Sequence, residues 1–235
     1  MLENFSNFRI LSFDCYGTLI DWEKGILGAV VPFLHSKNVK IPDETILELF
    51  AKFESEIESG NYIEYKEVLK RVFKNICESL TIKCDDKEQS LLLESFNNWE
   101  PFTDTVEALN LLKKHFKLAI ISNVDDDLFE LTRQKLGVNF DYVITAQQVR
   151  SYKPSSEVFK YALKKFGISR DQVLHIAQSL YHDIKPAKEL GLSTVWVNRR
   201  MGRKGSGATP FAEASPDMEV PDLITLAQLI ENTAM

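Results

Sequence analysis

Five polar side chains stand out because of where they fall relative to apolar runs. Asp14 ends the run 8–14, and Ser122 and Asn123 end the run 117–123. Lys153 follows the run 142–146 within Ser-Tyr-Lys-Pro, and Asp183 follows the run 172–178. If these runs are parallel strands, their carboxyl ends converge on one edge, where open α/β sheets bind ligands. The set then offers a carboxylate able to act as nucleophile or metal ligand, a hydroxyl donor, a cation and a second carboxylate. Each residue alone is ordinary, since an Asp at a strand end usually caps a turn or helix. Their joint occurrence at successive strand ends is what points to chemistry.

Those positions require a particular scaffold. The runs 8–14, 117–123, 142–146, 172–178 and 193–199 are apolar almost throughout, as strands of a sheet covered on both faces are. Helical patterns at 105–115, 126–136, 156–166 and 184–190 lie between or after them, the first with Val106, Leu109, Leu112 and Phe116 on one face. Gly137, Gly167 and Gly191 follow the last three as helix C-terminal glycines. This alternation predicts an α/β parallel sheet flanked by helices. Residues 22–99 interrupt it with amphipathic helical patterns, among them 44–59 and 62–80, and no strand. A βαβ crossover needs only about a dozen residues, so this stretch is expected to be an inserted helical cap over the strand ends. The core domain is then 1–21 plus 100–235, and the cap is 22–99. Residues 201–221 are rich in Gly, Ser, Pro and Ala and are expected to be a surface loop before a last helix at 223–230.

Composition narrows the class. The chain has 235 residues, a net charge of −6 and 26% charged residues, and its Lys/Arg runs never exceed two. Nucleic-acid binding through phosphates is therefore disfavoured, and no apolar stretch reaches the ~18 residues of a membrane span. The N-terminal order does not read as a signal peptide. Cys15, Cys77 and Cys84 are odd in number and fit no zinc spacing, so they are expected to be free thiols in a reducing, cytoplasmic setting. Asp125, Asp126 and Asp127 are expected to cap a helix rather than bind calcium. Tyr62, Tyr65 and Phe73 share helical spacing and are expected in the cap interior.

The chain resembles the haloacid dehalogenase superfamily of hydrolases from residue 8 to its last helix. The resemblance rests on Asp14-Cys15-Tyr16-Gly17-Thr18-Leu19-Ile20-Asp21, Ile121-Ser122-Asn123, Lys153-Pro154 and the segment from His175 through Gln178, Ser179 and His182 to Asp183. It implies a Rossmann-like core with a helical cap. It also implies Asp14 as nucleophile, Lys153 holding its carboxylate, and Ser122 or Asn123 with Thr18 positioning the attacked group. Cys15, Tyr16, Gly17, Trp22, Asn123, Ser179 and His182 complete the candidate substrate-binding set. Alternation along a strand nevertheless turns the Cys15 side chain away from a face that Asp14 occupies. The Gly17-Thr18 turn allows close backbone approach, with N–H groups able to bind an anion.

Phosphatases of the superfamily carry Asp where this chain has Tyr16, and Gly-Asp where it has Ala177-Gln178. Both the leaving-group acid and a metal carboxylate are thus replaced, so no metal or other cofactor is expected. The chain resembles instead the 2-haloacid dehalogenases, which carry Tyr at that position. There the Asp attacks the carbon beside a carboxylate, halide leaves, and water hydrolyses the Asp ester; Asp183 would orient Lys153 or activate the water. The match has gaps. A cap Arg of those enzymes is replaced by Ala51 beside Lys52, an Asn by Leu180, and a Tyr near Phe159 is missing. Azetidine-2-carboxylate hydrolases, which open a strained ring beside a carboxylate, are the related type. The partner expected is a small carboxylate, with attraction coming locally from Lys153, backbone N–H groups and Lys52. A phosphatase with atypical acid and metal sites is the alternative, and relatives of this shape are often homodimers.

Overall fold

The computed structural model describes residues 5–233. Among them, six strands form one parallel sheet: β1 Ile10–Phe13, β2 Lys117–Ser122, β3 Tyr142–Thr145, β4 Val173–Ala177, β5 Ser193–Val197 and β6 Met218–Val220, in the order β3-β2-β1-β4-β5-β6. The chain leaves β1 toward β2 on one side and later returns to place β4 on the other. That reversal opens a crevice at the carboxyl end of β1. Phe13 lies level with Ile120 of β2 and Ile176 of β4, so Asp14 emerges where all three strands end.

Alternate strand residues face opposite layers, as the pleat requires. Leu11, Phe13, Leu118, Ile120, Leu174 and Ile176 pack with α5 Thr105–Leu112, α6 Asp126–Arg133 and α10 Leu223–Thr233. Ile10, Ala119, Ile121 and Ile144 pack with α8 Ser156–Phe166 and α9 Lys185–Glu189. A short helix, α7 Ala146–Val149, follows β3. Gly167 ends α8 with φ of 66°, and its N–H donates to Leu163 O, which closes the helix.

Between β1 and α5 the described chain is helical: α1 Trp22–Ser36, α2 Asp43–Glu58, α3 Tyr65–Ser79 and α4 Leu91–Ser95. The buried stripe of α3 recurs every three or four residues, from Tyr65 through Leu69, Val72 and Phe73 to Ile76. These side chains belong to the same apolar cluster that contains Phe13 and Leu118 of the sheet. Each such Leu, Ile or Phe contributes ~1.5–3 kcal/mol by leaving water, so cap and core are welded along one apolar layer.

Three expectations need correction. The segment 201–221 is not simply a surface loop, because it contains β6 and a strap that docks on the cap. Three residues give no period to read. β6 is held instead by Asp217, whose carboxylate accepts from Thr194 N–H at 2.8 Å and Lys188 Nζ at 2.6 Å. The strap is fixed by Arg200, which donates to Glu23 and Glu44 on α1 and α2, and by Ala208 N–H, which donates to Glu23 at 3.0 Å. Second, Val106 is 37% exposed; the buried face of α5 is Thr105, Ala108, Leu109 and Leu112. Third, the predicted helix at 184–190 is preceded by a wide turn over Leu180–Ile184, and the regular helix starts only at Lys185. Cys15 and Cys77 are buried free thiols and Cys84 is a partly exposed one. No described helix is long and apolar enough to cross a membrane.

Candidate active site

The carboxyl ends of β1, β2 and β4 and the loop before α8 bring Asp14, Ser122, Lys153 and Asp183 to one small cavity. The Lys153 ammonium is buried, and it donates to Asp14 Oδ1 at 2.8 Å, Asp183 Oδ1 at 2.8 Å and Ile121 O at 2.9 Å. All three of its hydrogens are therefore engaged. The second oxygen of Asp14 accepts from Thr18 Oγ1 at 2.7 Å, and Thr18 Oγ1 accepts from Gln178 N–H at 2.8 Å. Thr18 thus orients Asp14 from behind, without lining the cavity.

Asp183 has a further partner that the sequence reading passed over. His175 Nε2 lies 2.9 Å from Asp183 Oδ1, and its Nδ1 lies 3.0 Å from Ser12 Oγ. A carboxylate only accepts, so Nε2 carries a proton toward Asp183. A histidine inside an otherwise apolar strand was the available signal. Burial pushes Asp183 upward, but Lys153 and His175 outweigh it and hold its carboxyl below the usual range. For Asp14 burial prevails over Lys153 and Thr18, with Asp183 adding repulsion, so its carboxyl lies above the usual range. Asp183 Oδ2 is buried without a hydrogen-bond partner, as is Ser122 Oγ.

Nine predicted residues line the cavity: Asp14, Tyr16, Trp22, Ser122, Asn123, Lys153, Ser179, His182 and Asp183. The Tyr16 hydroxyl points away, to Thr132 Oγ1 at 2.9 Å, so this residue offers a ring and no proton donor. Trp22 packs edge-on against Phe50. Asn123 braces Lys153, accepting from its N–H at 2.8 Å and donating to its carbonyl at 3.0 Å, and it donates to Glu58 at 3.0 Å. Ser179 Oγ accepts from His182 N–H at 2.8 Å and lies 3.2 Å from His182 Nδ1.

Two members of the substrate-binding set lie outside the cavity. Cys15 is fully buried, and desolvation with the nearby Asp14 charge pushes its thiol well above the usual range. Gly17 is absent from the wall, and its N–H donates to Ile20 O at 2.8 Å, which removes it from any anion site. Its φ of 93° and the position of Trp22, 2.9 Å from where a Cβ would stand, explain the glycine. Lys52 is exposed, its ammonium over the Phe53 ring, so it cannot hold a substrate carboxylate. Phe159 packs edge-on against His175, behind the site.

The roof comes from the cap and the strap. Glu54, Tyr65 and Thr209 line the cavity, and none was foreseen as a site residue. Tyr65 donates its hydroxyl to Glu54 at 2.7 Å. One turn further along α2, Glu58 has a side chain only 4% exposed, with Oε1 unpartnered and Oε2 4.0 Å from His182 Nε2. Leu47, Phe50, Ala51, Glu54 and Glu58 share a face, so the apolar stripe of α2 runs on into two acids, a pattern open to reading in the sequence. Burial pushes Glu54 up to about 8 and Glu58 well above the usual range. Burial also lowers His182 to about 4, so its imidazole is uncharged at pH 7 where it approaches Glu58.

The cavity is about 30 Å³ in volume, room for little more than one water. An outer hollow of about 300 Å³, lined by Glu58, Tyr62, Tyr152 and Tyr181, shares Lys153 and His182 with it. Larger hollows of about 640 and 850 Å³ flank α1 away from Asp14, so chemistry rather than volume locates the site. A divalent ion is poorly served here. Gln178 is a neutral amide with Oε1 3.4 Å from Thr209 Oγ1, and one ammonium bridges both Asp14 and Asp183. Among the described residues, no group of three or more His, Cys, Asp or Glu could hold a metal ion.

Asp125 acts differently from expectation. It precedes α6 but makes no capping bond there. Its two carboxyl oxygens accept instead from Tyr65 N–H at 2.9 Å and Lys66 N–H at 3.0 Å, capping α3 from the core.

Comparison with known proteins bears on this geometry. The chain is 25% identical to the (S)-2-haloacid dehalogenase of Pseudomonas fluorescens over 97% of its own length and 98% of that protein's. It is 27% identical to haloacetate dehalogenase H-2 of Moraxella sp. (strain B), over 73% of this chain and 75% of that one. Its fold matches the L-2-haloacid dehalogenase of Xanthobacter autotrophicus with chloropropionic acid covalently bound, at a TM-score of 0.76 and 20% identity, over 95% and 98% of the two chains. A family model described as haloacid dehalogenase-like hydrolase matches residues 11–197. The chain belongs to the haloacid dehalogenase-like hydrolases.

Proposed function

We propose that this hydrolase displaces a leaving group from the carbon beside a carboxylate, through an ester of Asp14. The observation that carries this reading is the Asp14 carboxylate, fixed by Lys153 and Thr18 at the cavity and faced by a Tyr16 whose hydroxyl is committed to Thr132. Such a site has a positioned nucleophile and no acid for an alkoxide leaving group. The covalent chloropropionate adduct of the Xanthobacter autotrophicus protein supports the same course.

In the first step an Asp14 oxygen forms a bond to the carbon, and the leaving group departs with its electron pair. Two leaving groups meet the condition: a halide, or the protonated nitrogen of a strained ring such as azetidine-2-carboxylate. In the second step water attacks the Asp14 carbonyl carbon. Asp183 Oδ2, unpaired at the cavity wall, takes the proton and then passes it to the oxygen that departs with the substrate carbon. The acyl–oxygen bond breaks, a 2-hydroxy acid leaves, and Asp14 keeps one oxygen from water.

Single-turnover reaction of 2-chloropropionate and of azetidine-2-carboxylate in ¹⁸O-water, with chelator present, tests this. Label is expected in Asp14 and not in product, and Asp14→Asn is expected to lower turnover by ~10⁴-fold or more. Label found only in product overturns the ester route. Phosphate-ester turnover that requires Mg²⁺ supports a phosphatase instead.

A further inference from the structure

The described residues of the cavity offer no free cation to an anionic substrate. Among the described residues lining it, Asp14, Glu54 and Asp183 are acids and Lys153 is the one lysine or arginine. Lys153 has no hydrogen left to offer. Lys52 points to solvent, and Arg200 is bound by Glu23 and Glu44. Meanwhile Glu58 Oε1 is buried and unpartnered beside the outer hollow, whose Arg150 is stacked over the Tyr62 ring. Buried acids without a cation are unfavourable, and a cation brought by the ligand relieves that cost.

We propose that Glu54 and Glu58 form a subsite for a protonated amine, so that the natural substrate is a small zwitterion whose ammonium lies under α2. This deepens the proposed reaction and rests on it for the chemical step alone. Two neutral donors complete the division, Ser122 on the floor and His182, whose Nε2 lies 4.0 Å from Glu58 Oε2. Ser122 Oγ–H is free on the floor. Ser179 Oγ accepts from His182 N–H and can give its own hydrogen to Nδ1, which leaves the unpartnered Nε2 as an N–H donor. Ser122 and His182 are thus available to the substrate carboxylate, while Glu54 and Glu58 take the ammonium. Burial of both acids fits this division, because it disfavours their charged forms and a ligand cation beside them would favour those forms. Of the two leaving groups considered, the ring nitrogen is the one that carries the cation these acids would hold.

Two ring acids of one shape test the subsite without turnover: L-proline, with an ammonium, and tetrahydrofuran-2-carboxylate, with an oxygen in its place. Calorimetric titration of the full chain is expected to give a Kd for proline at least ~10-fold lower. Glu54→Gln and Glu58→Gln, which keep shape and hydrogen bonding, are each expected to reduce that preference, and the double variant to abolish it. In kinetics the same variants are expected to lower kcat/KM for azetidine-2-carboxylate relative to 2-chloropropionate by ~10-fold or more. Equal binding of the two rings, no binding of either, or a preference untouched by both variants overturns the subsite. A proline preference without ¹⁸O label in Asp14 keeps the subsite and removes the ester route. Label in Asp14 without a proline preference does the reverse.

Discussion

The floor and the roof of this cavity are built on opposite plans. On the floor, charges are matched: one ammonium bridges two carboxylates, a threonine holds the free side of Asp14, and a histidine backs Asp183. On the roof, two acids are buried against tyrosine and asparagine with no cation of the described residues in hydrogen-bond contact; Lys153 reaches Glu58 only through space. The floor is preorganised and needs nothing from a ligand to be stable, as a site for covalent chemistry requires. The roof is incomplete until something with the right charge fills it. The reaction type therefore resides in the sheet and the substrate preference in the inserted helices.

The largest expected effect comes from unbalancing the floor. Lys153→Met keeps the bulk of the side chain but strips Asp14 and Asp183 of their shared counter-ion. Breaking a buried pair in this way costs ~3–5 kcal/mol, and turnover is expected to fall by ~10³-fold or more. The sign of the pH effect separates charge from packing. Without Lys153 both carboxyls have raised folded-state pKa values, so their penalty is present at neutral pH and disappears as pH falls through those values. Urea unfolding at several pH values is expected to show the deficit shrinking toward acid. A deficit independent of pH would mean that Lys153 acts by packing alone.

How legible each half is follows from the same contrast. Asp14 and Ser122 sit at the ends of their strands, and Lys153 and Asp183 follow theirs by a few residues, so a strand-by-strand reading places them on one edge without knowing any tertiary contact. The alternation of strands and helices, the helical insertion and the glycine ends of helices are local patterns too, whereas the order of strands in the sheet is not. Glu54, Tyr65 and Thr209 reach the cavity only because α2, α3 and the strap dock where they do. Each looks ordinary in its own segment: a helical acid, a cap aromatic, a residue in a Gly- and Ser-rich stretch. β6 escapes a sequence reading because three residues have no period, and the role of Asp125 escapes it because the partner amide of Tyr65 lies 60 residues away. Cys15 and Gly17 were drawn into the site by proximity in sequence, but one faces the core and the other has its N–H tied to Ile20.

A smaller effect, of opposite sign, is expected on the roof. Glu54 has a folded-state pKa near 8 against an ordinary value of 4.5, through burial first, with Tyr65 opposing and Asp14 reinforcing the shift. Between those values the unfolded chain releases a proton that the folded chain keeps, so stability is lost as pH rises from about 4.5 to about 8. Glu54→Gln has no proton to release. It is expected to flatten the pH dependence in that window and to be more stable than the parent at pH 8, by on the order of 3 kcal/mol. Thermal or urea unfolding of both proteins at pH 5 and pH 8 reads this directly. A substitution that gains stability while losing substrate preference is the signature of a residue kept for function. If Glu54→Gln is destabilising at both pH values, Glu54 is a structural partner of Tyr65 and the contrast between floor and roof fails.

The smallest effect is expected at the joint between the halves. Asp125 belongs to the core, yet both its carboxyl oxygens cap the first turn of α3, beside the Lys66–Asp127 ion pair. Removing a helix cap costs ~1 kcal/mol, so Asp125→Ala is expected to lower unfolding stability by about that amount. The more telling readout is local. Hydrogen exchange at the Tyr65 and Lys66 amides is expected to accelerate, while amides of β1 and β4 keep their protection. Tyr65 holds Glu54 through its hydroxyl, so loosening the start of α3 also loosens the roof. The variant is accordingly expected to weaken L-proline binding more than it slows ester hydrolysis at Asp14. Equal acceleration of exchange in cap and sheet would show that the two regions open as one unit, with chemistry and selectivity resting on a single rigid body.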